Sequence, residues 1–323
     1  MRWGLLVPIE GFALIDHADL VRALPDLGYS DLWSAESNGT DAFTPLTLAS
    51  MWDPTLRLGT AIVPVFTRGP ALIAMSAAAM AAAAPGRFVL GLGASSPAIV
   101  HDWNGMDFID PWRRTRDTLR FVRHALAGER IDGDFESFSI RRFKLENPPR
   151  SPPPILLAAL RPGMLRLAGR EADGAILNWL SPGDVATCRA ELGNPAAEVV
   201  VRICICPTED ADYARRIGRF QLSTYMSVPA YAAHQDWLGR GEAFRPMADL
   251  WAAGDRKGAN AAIPDKVVDE LFVHGSPESC RERLQGYADA GVTSALIALF
   301  PPPGLDGDRR TLLSILAALG PHA

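Results

Sequence analysis

Residues 152–182 read PPPILLAALRPGMLRLAGREADGAILNWLSP, and the order of patterns in this stretch decides the fold class. Pro154 to Leu160 is an almost unbroken apolar run without alternation, the pattern of a strand covered on both faces. Arg161-Pro162-Gly163-Met164 then turns the chain into the helix-like LRLAGR, with proline at the first helical position, where its missing N–H costs nothing. A second apolar run follows from Gly174 to Trp179. Strand, turn, helix and strand in so short a span make one βαβ unit.

Outward from this unit the same alternation recurs. Apolar runs at Trp3 to Val7, Asp31 to Ala35, Leu56 to Val65, Arg87 to Leu92, Glu198 to Cys206 and Ser294 to Phe300 bring the expected strands to eight. Helical segments lie between them. Ile15 to Leu27 places Leu20, Ala23, Leu24 and Leu27 on one face, and Pro70 opens an alanine-rich run closed by Pro85-Gly86. Asp110-Pro111 starts a helix through Ala127, and Ser276-Pro277-Glu278 starts one that reaches Gly291. Eight strand-then-helix units predict an α/β fold of the closed (β/α)8 TIM-barrel type, because an open doubly wound sheet has fewer strands and a phosphate turn after the first. One barrel domain over 1–323 is expected, with insertions at about 128–153, after strand four, and about 230–264, before strand eight. The first insertion carries its own expected strand around Phe135 to Leu145; the second is irregular and helical.

Composition agrees with a packed globule. The 323 residues are 48% hydrophobic and 21% charged, which excludes disorder. A net charge of −5 and a pI of about 5.7 provide no basic field for nucleic acid, so a small-molecule partner is expected. The opening MRWGLLVPIEG meets Pro8 and Glu10 too soon for a membrane or export segment, and the chain reads as cytoplasmic, without a membrane partner. Cys188, Cys204, Cys206 and Cys280 form no CxxC, so reduced, buried thiols are expected. The 28 glycines and 26 prolines have no collagen period and cluster where strands hand over to helices, among them Gly69-Pro70, Gly91, Gly93 and Pro162-Gly163.

Active sites of such barrels form at the C-terminal strand ends. Glu36, beside Ser37 and Asn38, projects a carboxylate from the second strand end, for chemistry, for pairing to a neighbouring strand or for capping the helix near Asp41. After strand four, GRFVLGLGASSP (86–97) offers Ser95 and Ser96 on a close backbone, but Gly91-Leu92-Gly93 is no complete dinucleotide fingerprint. His101, beside Asp102, is the only histidine near an expected strand top, where it either serves the site or sits on a surface loop. The turn Arg161 to Met164 opens a helix whose free N–H groups and partial positive charge suit a phosphate, and Asn178 ends strand six. Arg113, Arg116, Arg120 and Arg123 make a helical stripe, either a solvated face or a meeting place for an acidic tail. No GxSxG, GxxxxGK[ST], HExxH or metal-ligand spacing is present, so no metal site is expected.

Taken together, LWSAESNGTDAFTPLTLAS (32–50), LGTAIVPVFTRGPALIAMSAAAM (58–80), GRFVLGLGASSPAIVHDWNG (86–105) and the 152–182 block resemble the luciferase-like monooxygenase superfamily, in the branch of oxidoreductases dependent on coenzyme F(420), an 8-hydroxy-5-deazaflavin. The resemblance implies a non-proline cis peptide at Ala61-Ile62 behind the tricyclic ring, phosphate contacts at Arg161, Pro162, Gly163 and Met164, and Glu36, Ser95, Ser96 and Asn178 near the coenzyme. It implies hydride transfer between C5 of the deazaflavin and a small organic substrate, with Glu36, then His101 and Ser96, as groups able to move a proton. A homodimer is the common state of that family. The sugar-phosphate dehydrogenase branch carries a histidine after the strand-two acid and a glutamate in the strand-four turn; here those places hold Ser37 and Ser96. Its Gly-Pro-Lys turn reads Arg161-Pro162-Gly163. Two alternatives stay open: an FMN-dependent monooxygenase fed reduced FMN by a partner reductase, and a non-catalytic barrel that carries the flavin. Substrate walls are expected from Val63 to Arg68, His101 to Asn104 and the second insertion, whose Tyr231, Trp237, Phe244 and Trp251 either suit an apolar or aromatic substrate or pack the roof.

Overall fold

The computed structural model describes residues 1–305 and 307–322. Its strands are Arg2–Val7 (β1), Asp31–Ser34 (β2), Arg57–Thr60 (β3), Val63–Pro64 (β4), Phe88–Gly93 (β5), Arg130–Asp134 (β6), Ser139–Lys144 (β7), Ile155–Ala158 (β8), Gly174–Asn178 (β9), Glu198–Pro207 (β10), Val273–Gly275 (β11) and Ser294–Leu299 (β12). Eight of them pair in parallel in the cyclic order β1-β2-β3-β5-β8-β9-β10-β12, and the β12–β1 pairing closes the ring. This is the (β/α)8 barrel expected from the alternation of patterns, with each expected strand in its place.

Strand three departs from its expected continuity. The run from Leu56 to Val65 breaks into β3 and β4 around a cis peptide at Ala61–Ile62, the position the resemblance implies. Val63 and Pro64 resume pairing with Leu92 and Gly93. The first insertion also differs, forming the antiparallel pair β6–β7 rather than one strand. Phe135 lies in its turn, and Phe135, Phe138 and Phe143 all pack on Phe121 of the helix Pro111–Leu126, so the apolar positions serve a hairpin lid. The first helix is shorter than expected, Ala18–Ala23, because Pro25 cannot donate to a continuing ladder.

Inside the barrel, side chains from Trp33, Val89, Leu156, Ile176, Val200 and Leu296 form one apolar layer. Trp33 is fully buried, and glycine is what admits it: a Cβ on Gly59 would come within 2.2 Å of the indole, and one on Gly4 within 2.7 Å. Gly91 and Gly93, expected at a turn, belong instead to β5. A Cβ at Gly91 would strike the Thr60 carbonyl at 2.0 Å, and one at Gly93 would meet Ile62 and Ala158 at 2.9 Å. These glycines serve close packing within the ring, so part of the glycine excess is spent on the barrel interior.

Below that layer the N-terminal pole is ionic. Arg57 donates to both Glu198 oxygens at 2.8 and 2.6 Å and to Asp31 at 3.2 Å, while Ser294 donates to Asp31 at 2.8 Å and Arg2 to Glu198 at 2.7 Å. Burial pushes the Glu198 carboxyl up, but the Arg57 hydrogen bonds and charge outweigh it and hold the group below its ordinary range.

The second core lies above the barrel, where Trp179, Cys204, Cys206 and Ala298 at strand ends meet Leu222, Met226, Phe244, Met247 and Phe272. The helices Ala211–Met226, Pro229–Trp237, Gly241–Ala252 and Arg256–Ala261 thus form a roof on the β9–β10–β12 side. Arg240 fastens it, reaching Asp184 at 2.6 Å and Glu270 at 2.7 Å. All four cysteines are free and buried, and burial pushes the Cys188, Cys206 and Cys280 thiols up to about 12. Among the described residues no helix is long and apolar enough to cross a membrane, and no cluster of His, Cys, Asp and Glu could hold a metal ion.

Candidate active site

The open side of the mouth is built from the ends of β2, β4 and β5. Glu36 follows β2, and its N–H donates to the Ile62 carbonyl at 3.3 Å, tying it to the break in strand three. Its carboxylate takes two hydrogen bonds from Arg68 Nε at 3.0 Å and one from Arg68 Nη2 at 2.8 Å. It also accepts from the Ala42 N–H at 3.2 Å, at the entry to the helix Phe43–Trp52. Glu36 is therefore a paired carboxylate that also caps a helix entry. Arg68 lies over the Phe43 ring at 5.0 Å and 3.6 Å from Asp41. The Glu36 and Arg68 hydrogen bonds raise the guanidinium pKa further. Glu36, Asp41, Arg68, Thr67, Ile99 and Asn104 help line a cavity of about 360 Å³.

Ser95 and Ser96 follow β5 on the same side. Ser95 holds φ +68°, the left-handed region that non-glycine residues seldom occupy, and Ser96 Oγ accepts weakly from the Ile99 N–H at 3.4 Å. The structure does not bring His101 into this group. It is exposed, with Nδ1 2.9 Å from Asp102 Oδ1, while Ile99 and Asn104 of the same loop face the cavity.

Beyond β8, Arg161 and Gly163 are exposed at the start of the helix Pro162–Glu171. A Cβ at Gly163 would meet nothing within 4 Å, and Arg161 has no carboxylate partner among the described residues. An open helix N-terminus beside an unpaired cation has the form of an anion seat. The arginine stripe is different in kind: Arg113 and Arg116 pair with Glu136, Arg120 with Glu171 and Arg123 with Asp173. Its role is to bind neighbouring elements together.

The roofed side carries residues the sequence reading did not single out. Arg202 shares the inward face of β10 with Val200 and lies beside Asn178 in the ladder. Its Nη1 is 3.4 Å from Asn178 Oδ1 and 3.2 Å from Cys204 Sγ, and its guanidinium lies 5.8 Å from the centre of the Tyr225 ring. Asn178 Nδ2 donates to Tyr231 Oη at 3.2 Å, and Trp179, Tyr225 and Tyr231 meet edge to face. The signal was a single arginine inside the otherwise apolar VVVRICIC (199–206). Phe244 is buried in the roof, and Trp237 and Trp251 pack on His234 and Arg256, so those aromatics build the roof while Tyr231 alone reaches Asn178.

A closed parallel barrel with polar and cationic groups gathered at the C-terminal ends of its strands has the arrangement that enzyme barrels use for a site in the mouth. The chain belongs to the luciferase-like monooxygenase family, which it matches over residues 1–294. It is 28% identical over 326 residues to a Mycobacterium tuberculosis protein assigned as a coenzyme F(420)-dependent oxidoreductase, covering 91% of this chain and 92% of that one. It is also 28% identical over 310 residues to the 5,10-methylenetetrahydromethanopterin reductase of Methanolobus tindarius, with the same coverage of 91% and 92%. The fold superposes with a TM-score of 0.77 on the coenzyme F(420)-dependent tetrahydromethanopterin reductase of Methanopyrus kandleri, at 19% identity, over 98% of this chain and 97% of that one.

Proposed function

We propose that the protein is an oxidoreductase that passes a hydride between coenzyme F(420) and a small organic substrate held in the barrel mouth. The observation that carries this reading is similarity over nine-tenths or more of the chain to F(420)-dependent relatives, and the polar and cationic groups at the mouth support it. That support rests on three features of this chain. The helix start at Arg161 to Met164 is open and has a cation without a carboxylate partner among the described residues, which suits a phosphate. Ala61 and Ile62 stand half-buried at the mouth, where Gly93 leaves room for the Ile62 side chain. Ser95, Ser96 and Asn178 offer polar atoms on either side. When bound, the deazaflavin supplies a carbon, C5, that gives or takes two electrons with one proton as hydride.

The chain's own groups do the rest. Pro162, Gly163 and Met164 with Arg161 would hold the phosphate end, and Ile62, packed on the barrel's apolar layer, would offer the ring an apolar contact. Glu36, with Ser96, is placed to exchange the proton that accompanies the hydride, and Arg68 holds the carboxylate in one orientation. His101 can join only if its loop brings it inward. In alcohol oxidation the chain's part would be to take up the hydroxyl proton at Glu36, and in carbonyl reduction to return one from it. The roof excludes water from the β9–β10–β12 side.

The test is to supply reduced or oxidised F(420) with a panel of enones, imines and alcohols, following coenzyme absorbance and dissolved oxygen together. The reading expects coenzyme turnover with a subset of the panel and no oxygen uptake. Oxygen uptake with reduced FMN would favour the monooxygenase reading, and binding without turnover the carrier reading.

A further inference from the structure

Arg202 is a cation facing into the barrel without an acid among the described residues to meet it. It projects from the middle of β10 toward the barrel interior, one step above the apolar layer of Val200, Ile176 and Leu296. Among the described residues no carboxylate lies within 4 Å of it; its neighbours are the Asn178 amide oxygen at 3.4 Å, the Cys204 sulfur at 3.2 Å and the Tyr225 ring. A guanidinium has five N–H donors in a planar fork, and these contacts use only one terminal nitrogen. At the opposite pole the same side-chain type is treated otherwise: Arg57 is held by Glu198 and Asp31. A partly desolvated cation costs free energy unless it is paired, so an unpaired one in a ligand site is poised for a partner that arrives with the ligand.

We infer that Arg202, with Asn178 and Tyr231 beside it, seats an anionic oxygen group of the organic substrate, a carboxylate or its equivalent. The three form one polar arc, since Asn178 donates to Tyr231 Oη and accepts from Arg202. Beside the arc stand the half-buried Tyr225 and Tyr231, edge to face at 5.0 Å, backed by the buried Trp179, which gives the seat an aromatic wall. The substrate class is therefore an aromatic or apolar acid whose charged end docks at Arg202 while its reacting carbon lies toward the coenzyme. This rests on the oxidoreductase reading only in taking the anion to be the substrate's and not the coenzyme's.

The probe is benzoate, compared with its neutral isostere benzamide, on the full chain without coenzyme, followed by calorimetry and by tryptophan fluorescence. The wild-type protein is expected to bind benzoate about tenfold or more tightly than benzamide, the lower end of what a charge-assisted hydrogen bond contributes. Arg202→Met should erase the preference, and Arg202→Lys should keep part of it because the charge stays while the fork is lost. Equal binding of the two probes by wild type overturns the proposal without any variant having to fold. A benzoate preference that survives in a folded Arg202→Met also overturns it, by placing the anion elsewhere, as at Arg161. Parallel F(420) titrations separate the two claims. If F(420) fails to bind while benzoate still discriminates, the coenzyme reading falls and the seat stands. If F(420) binds wild type and Arg202→Met alike while benzoate does not discriminate, the seat falls and the reading stands. Loss of F(420) affinity in Arg202→Met with no loss for benzoate assigns the anion to the coenzyme and overturns the proposal.

Discussion

The two poles of this barrel use the same side chain for opposite purposes. At the N-terminal pole Arg57 is locked between Glu198 and Asp31, and Asp31 is fully buried with Ser294 as a further donor. At the C-terminal pole Arg202 and Arg161 have no acid among the described residues, while Glu36 and Arg68 form a pair on the rim of a cavity. A closed set of charges stabilises one arrangement of the chain; an open set is stabilised when something binds. The bottom of the ring is therefore read as structure and the top as function, in keeping with the usual division of labour in such barrels.

Breaking the closed pole should have the largest effect. Arg57→Met leaves the Asp31 and Glu198 carboxylates without their main partner and is expected to cost about 3–5 kcal/mol of unfolding free energy in urea denaturation. Affinity for F(420) in the protein that remains folded should be unchanged, because no mouth residue is touched; a large loss of affinity with little loss of stability would invert the comparison.

A second prediction concerns the roof. His234 is 1% exposed on the helix Pro229–Trp237, and burial lowers its pKa to about 4, against the carbonyls of Leu160 and Asn178 and the nearby Asp184, which act in the other direction. The unfolded chain takes up that proton near pH 6.5, so the folded state loses stability as pH falls from about 6.5 toward 4, by up to about 3 kcal/mol. The Glu198 carboxylate adds to this only at lower pH, because its folded pKa is depressed and its contribution is lost as pH falls through that value. Urea midpoints measured against pH should show the decline in wild type and a shallower one over that window in His234→Phe. Parallel curves would show that the ring is not the group responsible.

The smallest effect expected is on binding alone. Ile62→Asp places a carboxylate where an apolar side chain lies against Gly93, and should weaken F(420) about tenfold or more in a fluorescence titration. Unchanged affinity would move the ring away from the break between β3 and β4.

Much of this architecture was legible beforehand because parallel strands covered on both faces leave an unmistakable run of apolar residues, as in ILLAAL (155–160) and FVLGLG (88–93). The helix start at Arg161-Pro162-Gly163 was legible because proline and glycine have positional meaning. The hairpin β6–β7 was missed in part because its phenylalanines look outward to another element, Phe121, so neither alternation nor period reveals two strands. The pairing of Glu36 with Arg68 joins residues far apart in the chain that only the closed ring brings together. Arg202 was overlooked because one charge in a strand reads locally as a flaw in an apolar run; only the direction of its side chain shows that it faces the mouth. His101 shows the converse, a residue adjacent to a strand top in sequence whose side chain lies on the outer surface.

The identity of the coenzyme is tested most directly by titrating the purified protein with F(420) and with FMN under the same conditions. Saturable, one-to-one binding of F(420) with FMN bound at least tenfold more weakly is the expected result. Tight FMN binding with no detectable F(420) binding would contradict the account and place the protein with the FMN-dependent branch of the family.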